Sequence, residues 1–431
     1  MSAEVRVLTA RFEDPESHTL ARYGATGGYA GLRRALAMSP ADVTRMVKDS
    51  GLRGRGGAGF PTGGKWGFIP RDTGLPVYLV VNGDEGEPGT FKDRELIERD
   101  PHQLIEGILI SAYAIGAARA FVYLRGEMAL AGRRLEAALA EARSAGYLGA
   151  RVIGRDFGLE ILVHRGSGAY ICGEETALLE SLEGFRGQPR LRPPFPAVKG
   201  LYASPTAINN VETISAIPHI VERGVAWFRS LGTERSPGPK IFSISGEVNR
   251  PGNYEAALGI PARVLIEDFA GGVWKNKHLR AFAPGGSSTP LLSAEHLDVP
   301  MDFESVVAAG SQLGTGAMIV IAEGTCIVRA VRRFTDFYAH ESCGKCTPCR
   351  EGTYWMRHTL ARIEEGRGRA ADVDTLLDVC GNMLGRCFCP LGDGAVSPVE
   401  SSIRLFREDY ERHIREGACP WPGRASLPGA G

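Results

Sequence analysis

Val77-Tyr-Leu-Val-Val-Asn-Gly-Asp-Glu-Gly-Glu-Pro-Gly89 begins as an apolar run of strand length and ends in an acidic, glycine-rich turn. Continuous rather than alternating hydrophobicity is what a strand buried on both faces requires. Two similar runs follow, at residues 121–124 before Arg125-Gly-Glu127 and at 161–163 before His164-Arg-Gly-Ser-Gly-Ala-Tyr-Ile-Cys-Gly-Glu-Glu175. Helical periodicity fills the intervals, over roughly residues 101–116 and 128–145. Strands alternating with helices predict an α/β fold with a parallel, helix-covered sheet. Ligands of such sheets lie beyond the carboxyl ends of the strands, and these turns fall at that edge. Alone, Asp84, Glu85 and Glu87 read as a solvated turn. Interleaved with Gly83, Gly86 and Pro88 after a buried strand, they are placed to accept hydrogen bonds from ribose hydroxyls or a carboxamide. His164 has no partner identifiable from sequence and reads as structural.

Upstream, a short helix is expected near residues 32–37. Ser39-Pro40-Ala41-Asp42 then forms a capping box with proline at the first helical position. The helix it opens should bury Val43, Met46 and Val47 and stop near Gly51. Leu52-Arg-Gly-Arg-Gly-Gly-Ala-Gly-Phe-Pro-Thr-Gly-Gly-Lys-Trp66 follows and mimics two motifs. Gly54, Gly56 and Gly59 satisfy G-x-G-x-x-G, but a helix precedes them where the dinucleotide fingerprint needs a strand. Gly59, Gly64 and Lys65 fit most of a P-loop, yet Trp66 stands where a magnesium-binding Ser or Thr belongs. What remains is backbone N–H that can approach a phosphate closely, with Arg55 and Lys65 as positive charge. Phe60, Trp66 and Phe68 can flank flat rings. The alternative is a glycine loop with no ligand.

Residues 184–215 carry Arg190, Arg192, Phe195 and Lys199, then Asn209-Asn210-Val-Glu-Thr213, and read as irregular, ordered loops. Paired asparagines suit flavin edges or phosphates, and also ordinary turns. From about residue 238 the pattern changes to a small α+β unit. Residues 240–246 alternate, 248–254 supply a turn, 264–269 and 280–283 add pieces, and 317–322 form a last strand. Nothing in this unit suggests chemistry, and it reads as scaffold.

The final hundred residues are helical, at 329–339, 353–363 and 373–384. Ser397-Pro-Val-Glu400 is a second capping box, opening a helix with Ile403, Phe406, Tyr410 and Ile414 on one face. Among these helices lies Glu341-Ser-Cys-Gly-Lys-Cys-Thr-Pro-Cys-Arg350, with Cys389-Pro390 further on. Cys343, Cys346 and Cys349 at C-x2-C-x2-C, plus a remote Cys-Pro, is the ligand arithmetic of a cubane iron–sulfur cluster. Zinc usually takes paired C-x2-C knuckles instead. Cys387, two residues before Cys389, would share its face in an extended segment and is a plausible decoy.

The chain has 431 residues, zero formal net charge, 43% hydrophobic and 23% charged residues, ordinary for a globular protein and without the basic footprint of a nucleic-acid binder. Nine cysteines without a small secreted framework favour a reducing compartment. Early acidic residues argue against a secretory signal. The most apolar window, 105–124, is interrupted by Glu106 and Arg119 and is too short to span a bilayer. Residues 419–431 read as a flexible tail.

Gly54-Arg-Gly-Gly-Ala-Gly-Phe-Pro-Thr-Gly63 with Lys65-Trp66, the 82–93 loop, Gly168-Ala-Tyr-Ile-Cys-Gly-Glu-Glu-Thr-Ala-Leu178 and the 341–352 cysteine segment together resemble the signatures of a known family. It is the NADH-binding flavoprotein component of respiratory complex I, the NADH:quinone oxidoreductase. The likeness spans roughly residues 20–415. It implies bound FMN, one [4Fe–4S] cluster, NADH as substrate, and hydride transfer to flavin with no side-chain acid or base. It also implies an α/β flavin domain (1–237), a β-grasp-like domain (238–328), a helical cluster domain (329–418) and the tail.

Carried over by position, the resemblance puts the FMN phosphate and ring near Gly54, Arg55, Gly56, Gly57, Gly59 and Lys65. Asn82, Asp84, Asn209, Asn210 and Thr213 match further flavin contacts. Phe60, Phe68, Glu85, Glu87, Tyr170, Glu174, Glu175 and Phe195 match the NADH side, and Gly173 belongs to the same cofactor-binding set. Cys343, Cys346, Cys349 and Cys389 match the cluster ligands. Gly64 stands where Leu is expected. Implied partners are a thioredoxin-like [2Fe–2S] subunit and a large multi-cluster iron–sulfur subunit, in a complex peripheral to the cytoplasmic side of the cell membrane. Related flavoproteins of NAD-linked hydrogenases and formate dehydrogenases often carry an N-terminal extension or extra cluster domains, and neither is expected here. A scaffold that kept the cluster and lost the flavin is disfavoured by the intact loops at 54–66 and 82–87.

Overall fold

A computed structural model describes residues 4–70 and 73–421. The first group of elements is built on four parallel strands: β1 (Tyr78–Gly83), β2 (Arg119–Leu124), β3 (Glu160–Arg165) and β4 (Thr206–Asn210), in the order β3-β2-β1-β4. Its helices are α1 (Leu20–Ala25), α2 (Ala30–Ala35), α3 (Pro40–Asp49), α4 (Thr62–Gly67), α5 (Lys92–Arg99), α6 (Pro101–Ile115), α7 (Ala129–Ser144), α8 (Glu175–Leu182), α9 (Pro196–Lys199), α10 (Val211–Arg223) and α11 (Val225–Arg229). Leu79, Val80 and Val81 are wholly buried, as the apolar run of β1 requires.

The 105–124 window is apolar because α6 lies inside this core, with Leu104, Ile105, Ile108 and Leu109 buried. Asp100 caps its first turn, Pro101 opens it, and Gly116 ends it in the left-handed conformation at φ 77°. Glu106 within it accepts the N–H groups of Tyr29 and Leu32, both at 2.8 Å, which fastens α2 to α6. The capping box at Ser39 forms as expected, although Met46 is only half-buried while Val43 and Val47 are enclosed.

The expected loop over 184–215 is corrected at its end. Residues 206–210 are β4, paired in parallel with β1, and α10 follows at once with Asn210 as its N-cap. Thr-Ala-Ile-Asn-Asn holds one large apolar residue, too little to register as a strand. Pro218 inside α10 breaks the helical pattern that would have marked what comes next.

The second group is a mixed sheet of β5 (Pro239–Gly246), β6 (Gly252–Ala257), β7 (Leu279–Ala283), β8 (Leu292–Ser293) and β9 (Ala317–Ala322), in the order β6-β5-β9-β7-β8, with α12 (Phe303–Ala308). β5 does not alternate as expected. Its first six residues are buried because Lys240 meets Glu212 of α10 while Ile241 joins the core of the first group. Residues 264–269 form a wide helical turn rather than a strand piece.

The third group is α13 (Ile327–Glu341), α14 (Thr347–Glu364), α15 (Asp372–Met383) and α16 (Leu391–Glu416). α16 begins directly after Pro390 and runs through Ser397, whose hydroxyl donates to the Asp393 carbonyl at 2.9 Å. The second capping box is therefore helix interior, since Ser-x-x-Glu says nothing about the turn before it. The helix breaks at Phe406 (φ −137°), whose ring still packs against the core that holds Ile403 and Tyr410 and also lies under the Arg280 guanidinium. The expected flexible tail is corrected at its start: Trp421 packs on the His413 ring and under the guanidinium groups of Arg280 and Arg412. Residues 422–431 lie outside the described residues. No helix among the described residues is long and apolar enough to cross a membrane.

Candidate functional site

The glycine-rich loop closes on itself, with Gly54 N–H donating to the Phe60 carbonyl at 2.8 Å, and lies against the carboxyl end of β4. A Cβ on Gly56 would stand 2.9 Å from the Asn210 Cβ, and Gly57 holds φ 129°, so both positions need glycine. Arg55 N–H donates to Thr213 Oγ1 at 2.8 Å, which fixes the loop over the N-terminus of α10. Exposed backbone donors beside a helix N-terminus form an anion site.

Arg55 does not supply the expected charge to that site. Its guanidinium is buried and donates to the carbonyls of Arg53, Pro237 and Pro239, each at 3.0 Å, and burial lowers its pKa to about 10. Trp66 is likewise enclosed, its Nε1 donating to Asn209 Oδ1 at 2.9 Å, so it shapes the pocket rather than flanking a ring. Phe60 and Phe68 are 50% and 62% exposed with ring centroids 6.3 Å apart. Phe195 is also exposed, three residues beyond Arg192. Lys65 Nζ lies 2.7 Å from Glu175 Oε2, and Arg192 reaches the other oxygen of Glu175 at 3.3 Å.

Asn82 joins two loops, its Oδ1 accepting Asp84 N–H at 3.0 Å and its Nδ2 donating to the Gly173 carbonyl at 2.8 Å. Asp84 pairs with Arg125 at 2.8 Å, yet burial outweighs that cation and holds its pKa up at about 7. Its Oδ2 is buried without a partner. The Glu85 carboxylate accepts the N–H groups of Asp93 (2.7 Å) and Arg94 (3.0 Å), which ties the acidic loop to the start of α5. Glu174 Oε2 accepts the N–H groups of Thr176 (3.0 Å) and Ala177 (2.9 Å) as the cap of α8, while its Oε1 lies 3.7 Å from Arg192, beside Glu175. Glu87 accepts from the Tyr170 hydroxyl (2.7 Å) and from Ser288 N–H (2.8 Å). Asn210 donates to Asp93 Oδ2 at 2.7 Å while its own oxygen caps α10.

Cys343, Cys346, Cys349 and Cys389 line one cavity with Ile171, Pro189, Ser342, Lys345, Phe388 and Leu391. Phe388 N–H points at Cys346 Sγ (3.4 Å), and the Ser342 hydroxyl lies 3.2 Å from Cys349 Sγ. Cys387 is not part of the lining; its sulfur lies 3.4 Å from the Met383 carbonyl. The cavity borders the first site through the short turn Tyr170–Gly173. Ile171 lines the cavity, Gly173 is bonded to Asn82, and Tyr170 N–H donates to Glu341 at 3.0 Å.

Residues 47–219 match the family model described as the Nuo51 FMN-binding domain, 240–320 the SLBB domain, and 329–413 the NADH-ubiquinone oxidoreductase-F iron-sulfur binding region. The F subunit of the NADH-quinone oxidoreductase of Mycobacterium tuberculosis is 60% identical over 428 residues, 98% of this chain and 96% of that protein. The chain belongs to this F-subunit family. The Streptomyces coelicolor member is 58% identical over 415 residues, covering 96% and 92% of the two chains. A chain of the NAD+-reducing [NiFe]-hydrogenase, in its air-oxidised crystal structure, matches with TM-score 0.82 and 37% identity, over 96% of this chain and 67% of that one.

The residues present fit the two groups that the family models describe. For FMN there is a glycine cradle over a helix N-terminus, and the buried Asp84 Oδ2 and Thr62 Oγ1 have no partner. For the cluster, four thiols share one cavity with a backbone N–H aimed at a sulfur, the kind of bond that tunes such centres. Sequence reasoning passed over Thr62, and also Arg125, which holds Asp84. Arg125 directly follows β2 at the carboxyl edge, so the positional rule that singled out Asp84 was signal enough to find it.

Proposed function

We propose that this chain is the NADH-oxidising flavoprotein subunit of an NADH-quinone oxidoreductase, delivering electrons singly toward quinone. The observation that carries the reading is the Tyr170–Gly173 turn, one wall common to the glycine-cradle pocket and the four-thiol cavity. Held there, FMN would supply a hydride acceptor and the [4Fe–4S] cluster a one-electron acceptor. The chain's own work is positioning. Gly54, Gly56, Gly57 and Gly59 admit the flavin phosphate, with Asn82, Asp84, Asn209, Asn210 and Thr213 shaping the flavin side. Phe60, Phe68 and Phe195 offer faces for the nicotinamide nucleotide, with Lys65, Glu87, Tyr170, Gly173 and Glu175 around it. Cys343, Cys346, Cys349 and Cys389 hold the cluster. The units are 1–237, 238–328 and 329–418. The proposed partners are a thioredoxin-like [2Fe–2S] subunit and a large multi-cluster subunit, in a complex peripheral to the cytoplasmic face of the membrane. Identity of 60% across almost the whole of a respiratory F subunit, against 37% to a longer hydrogenase chain, favours the respiratory over the hydrogenase assignment.

The test is turnover: the full chain, loaded with FMN and cluster, should oxidise NADH with an artificial one-electron acceptor such as ferricyanide. No turnover in a fully loaded preparation would sink the reading.

Nucleotide choice follows from Glu175. Its carboxylate sits at the mouth between Lys65 and Arg192, whereas Glu174 uses one oxygen in capping and meets Arg192 with the other only at 3.7 Å. A carboxylate there accepts a ribose 2′-OH and repels a 2′-phosphate. Glu175→Gln, which leaves Lys65 without its counter-charge and Arg192 with only the more distant Glu174, should raise the NADPH/NADH ratio of kcat/KM by roughly tenfold or more, about 1.4 kcal/mol of discrimination. Glu174→Gln should leave that ratio within about twofold and mainly weaken the start of α8, by about 1 kcal/mol. An unchanged ratio in both variants would place selectivity elsewhere.

A further inference from the structure

Remote from both sites, the start of α13, the last turns of α16 and the segment beyond it bring three soft ligand atoms together. Cys326 is the buried N-cap of α13, its sulfur accepting Arg329 N–H at 3.4 Å. His413 is fully buried on α16, with Nε2 3.4 Å from Cys326 Sγ. Cys419 follows Gly417, which ends α16 in the left-handed conformation. The two sulfurs and the imidazole nitrogen all lie within 4.8 Å of one another.

The surroundings are those of a ligand set rather than of a chance contact. His413 Nδ1 lies 2.6 Å from the Asp409 carbonyl, to which it can only donate, so Nε2 carries the lone pair and faces the sulfurs. A backbone carbonyl holding the far nitrogen is the usual device that orients a metal-binding histidine. Arg329 Nη2 lies 3.5 Å from Cys419 Sγ, so both sulfurs receive N–H donors from one residue, and Trp421 packs against the imidazole. Zinc bonds of about 2.3 Å to sulfur and 2.0–2.1 Å to nitrogen at a tetrahedral angle separate those atoms by about 3.5 Å. The Cys326–His413 separation is 3.4 Å. A thiol hydrogen-bonded to an imidazole would account for that pair alone and leaves Cys419 unexplained.

We propose that Cys326, His413 and Cys419 bind one zinc-class ion, a borderline-soft divalent cation, that fastens the segment just after α16 to the cluster-bearing bundle. Thiolate and imidazole together select such an ion over magnesium or calcium. Three protein ligands leave the fourth position to water.

The test uses the full chain loaded with FMN and cluster, washed with chelator and then offered Zn2+ alone. Iron is measured alongside, so that zinc entering the cluster cavity is recognised by iron loss. Wild type should retain about one zinc per chain at unchanged iron, and its thermal midpoint should rise with added Zn2+. Cys419→Ser, at the edge of the bundle and outside every helix, should keep the fold and iron content but lose at least about nine-tenths of the zinc and the thermal response. Cys326→Ser should behave alike. Zinc retained equally in both variants overturns the proposal, as does wild type that binds none. A Cys326–Cys419 disulfide, found by peptide mass spectrometry in anaerobically purified protein, overturns it too.

Discussion

Cys389→Ala should abolish the EPR signal of the reduced cluster and lower electron transfer to quinone in the assembled complex by at least about a hundredfold, since even changes in the shell behind a ligand can cost 10–100-fold. Cys387→Ala should leave both nearly unchanged. Cys389 shares the cavity with Cys343, Cys346 and Cys349, directly before the helix α16 that Pro390 introduces. Cys387 is the nearest competitor and lies within reach of Cys346, but its sulfur is outside the cavity lining, at the Met383 carbonyl and in the space where a Cβ on Gly392 would lie 2.2 Å away. Loss of the signal in Cys387→Ala with survival in Cys389→Ala would reverse the assignment. A signal that survives each single change and disappears only in the double variant would make the two thiols interchangeable and defeat it as well.

The second large effect is on stability. Glu212, wholly buried, lies 2.9 Å from Lys92 Nζ and 3.2 Å from Lys240 Nζ, and accepts Ile241 N–H at 2.8 Å. It thus joins α10 and α5 of the first group to β5 of the second. Glu212→Ala should destabilise the chain by about 3–5 kcal/mol, because buried ammonium groups lose their counter-charge. Urea unfolding followed by circular dichroism measures it, and a loss under about 1 kcal/mol would mean that Asp93, 2.8 Å from Lys92, carries the cations alone. Burial pushes the Glu212 pKa up, but Lys240, Lys92 and Arg55 outweigh it and hold the carboxyl below its usual value. A depressed native pKa adds stability that is complete above the unfolded value of about 4.3 and is lost as pH falls toward the native one. The wild-type acid-unfolding curve should contain that component, and the variant's should lack it.

These sites were unequally legible. The sheet could be read because β1 and β2 announce burial by unbroken apolar runs; β3 carries a similar run but lies at the sheet edge with only Ile161 enclosed and Leu162 exposed. The cluster could be read because three cysteines at fixed spacing admit few chemistries. β4 could not, since its five residues owe their place to pairing with β1, a long-range event with almost no local signature. Glu85 and Glu174 have a second role that spacing did not announce. A carboxylate upstream of a helix can turn back onto the helix N–H groups, from the loop before α5 for Glu85 and from the residue directly before α8 for Glu174, and local sequence does not separate that role from facing a ligand. Arg55 misled because backbone carbonyls from residues 237 and 239, far along the chain, take up its N–H donors in a way that no reading of the glycine loop reveals.

Glu87 sits where all three groups of elements meet. Tyr170 of the first grips one oxygen and Ser288 of the second the other, while Ser287 bonds the Tyr338 hydroxyl of the third at 2.6 Å. Gly286, at φ 105°, brings the second group so close that a Cβ would stand 2.5 Å from the Glu87 side chain. The pocket around Glu87 is therefore a keystone, complete only once these three groups of elements have come together. A chain with its middle group undocked would leave Glu87 without its Ser288 bond, so this pocket takes its shape last.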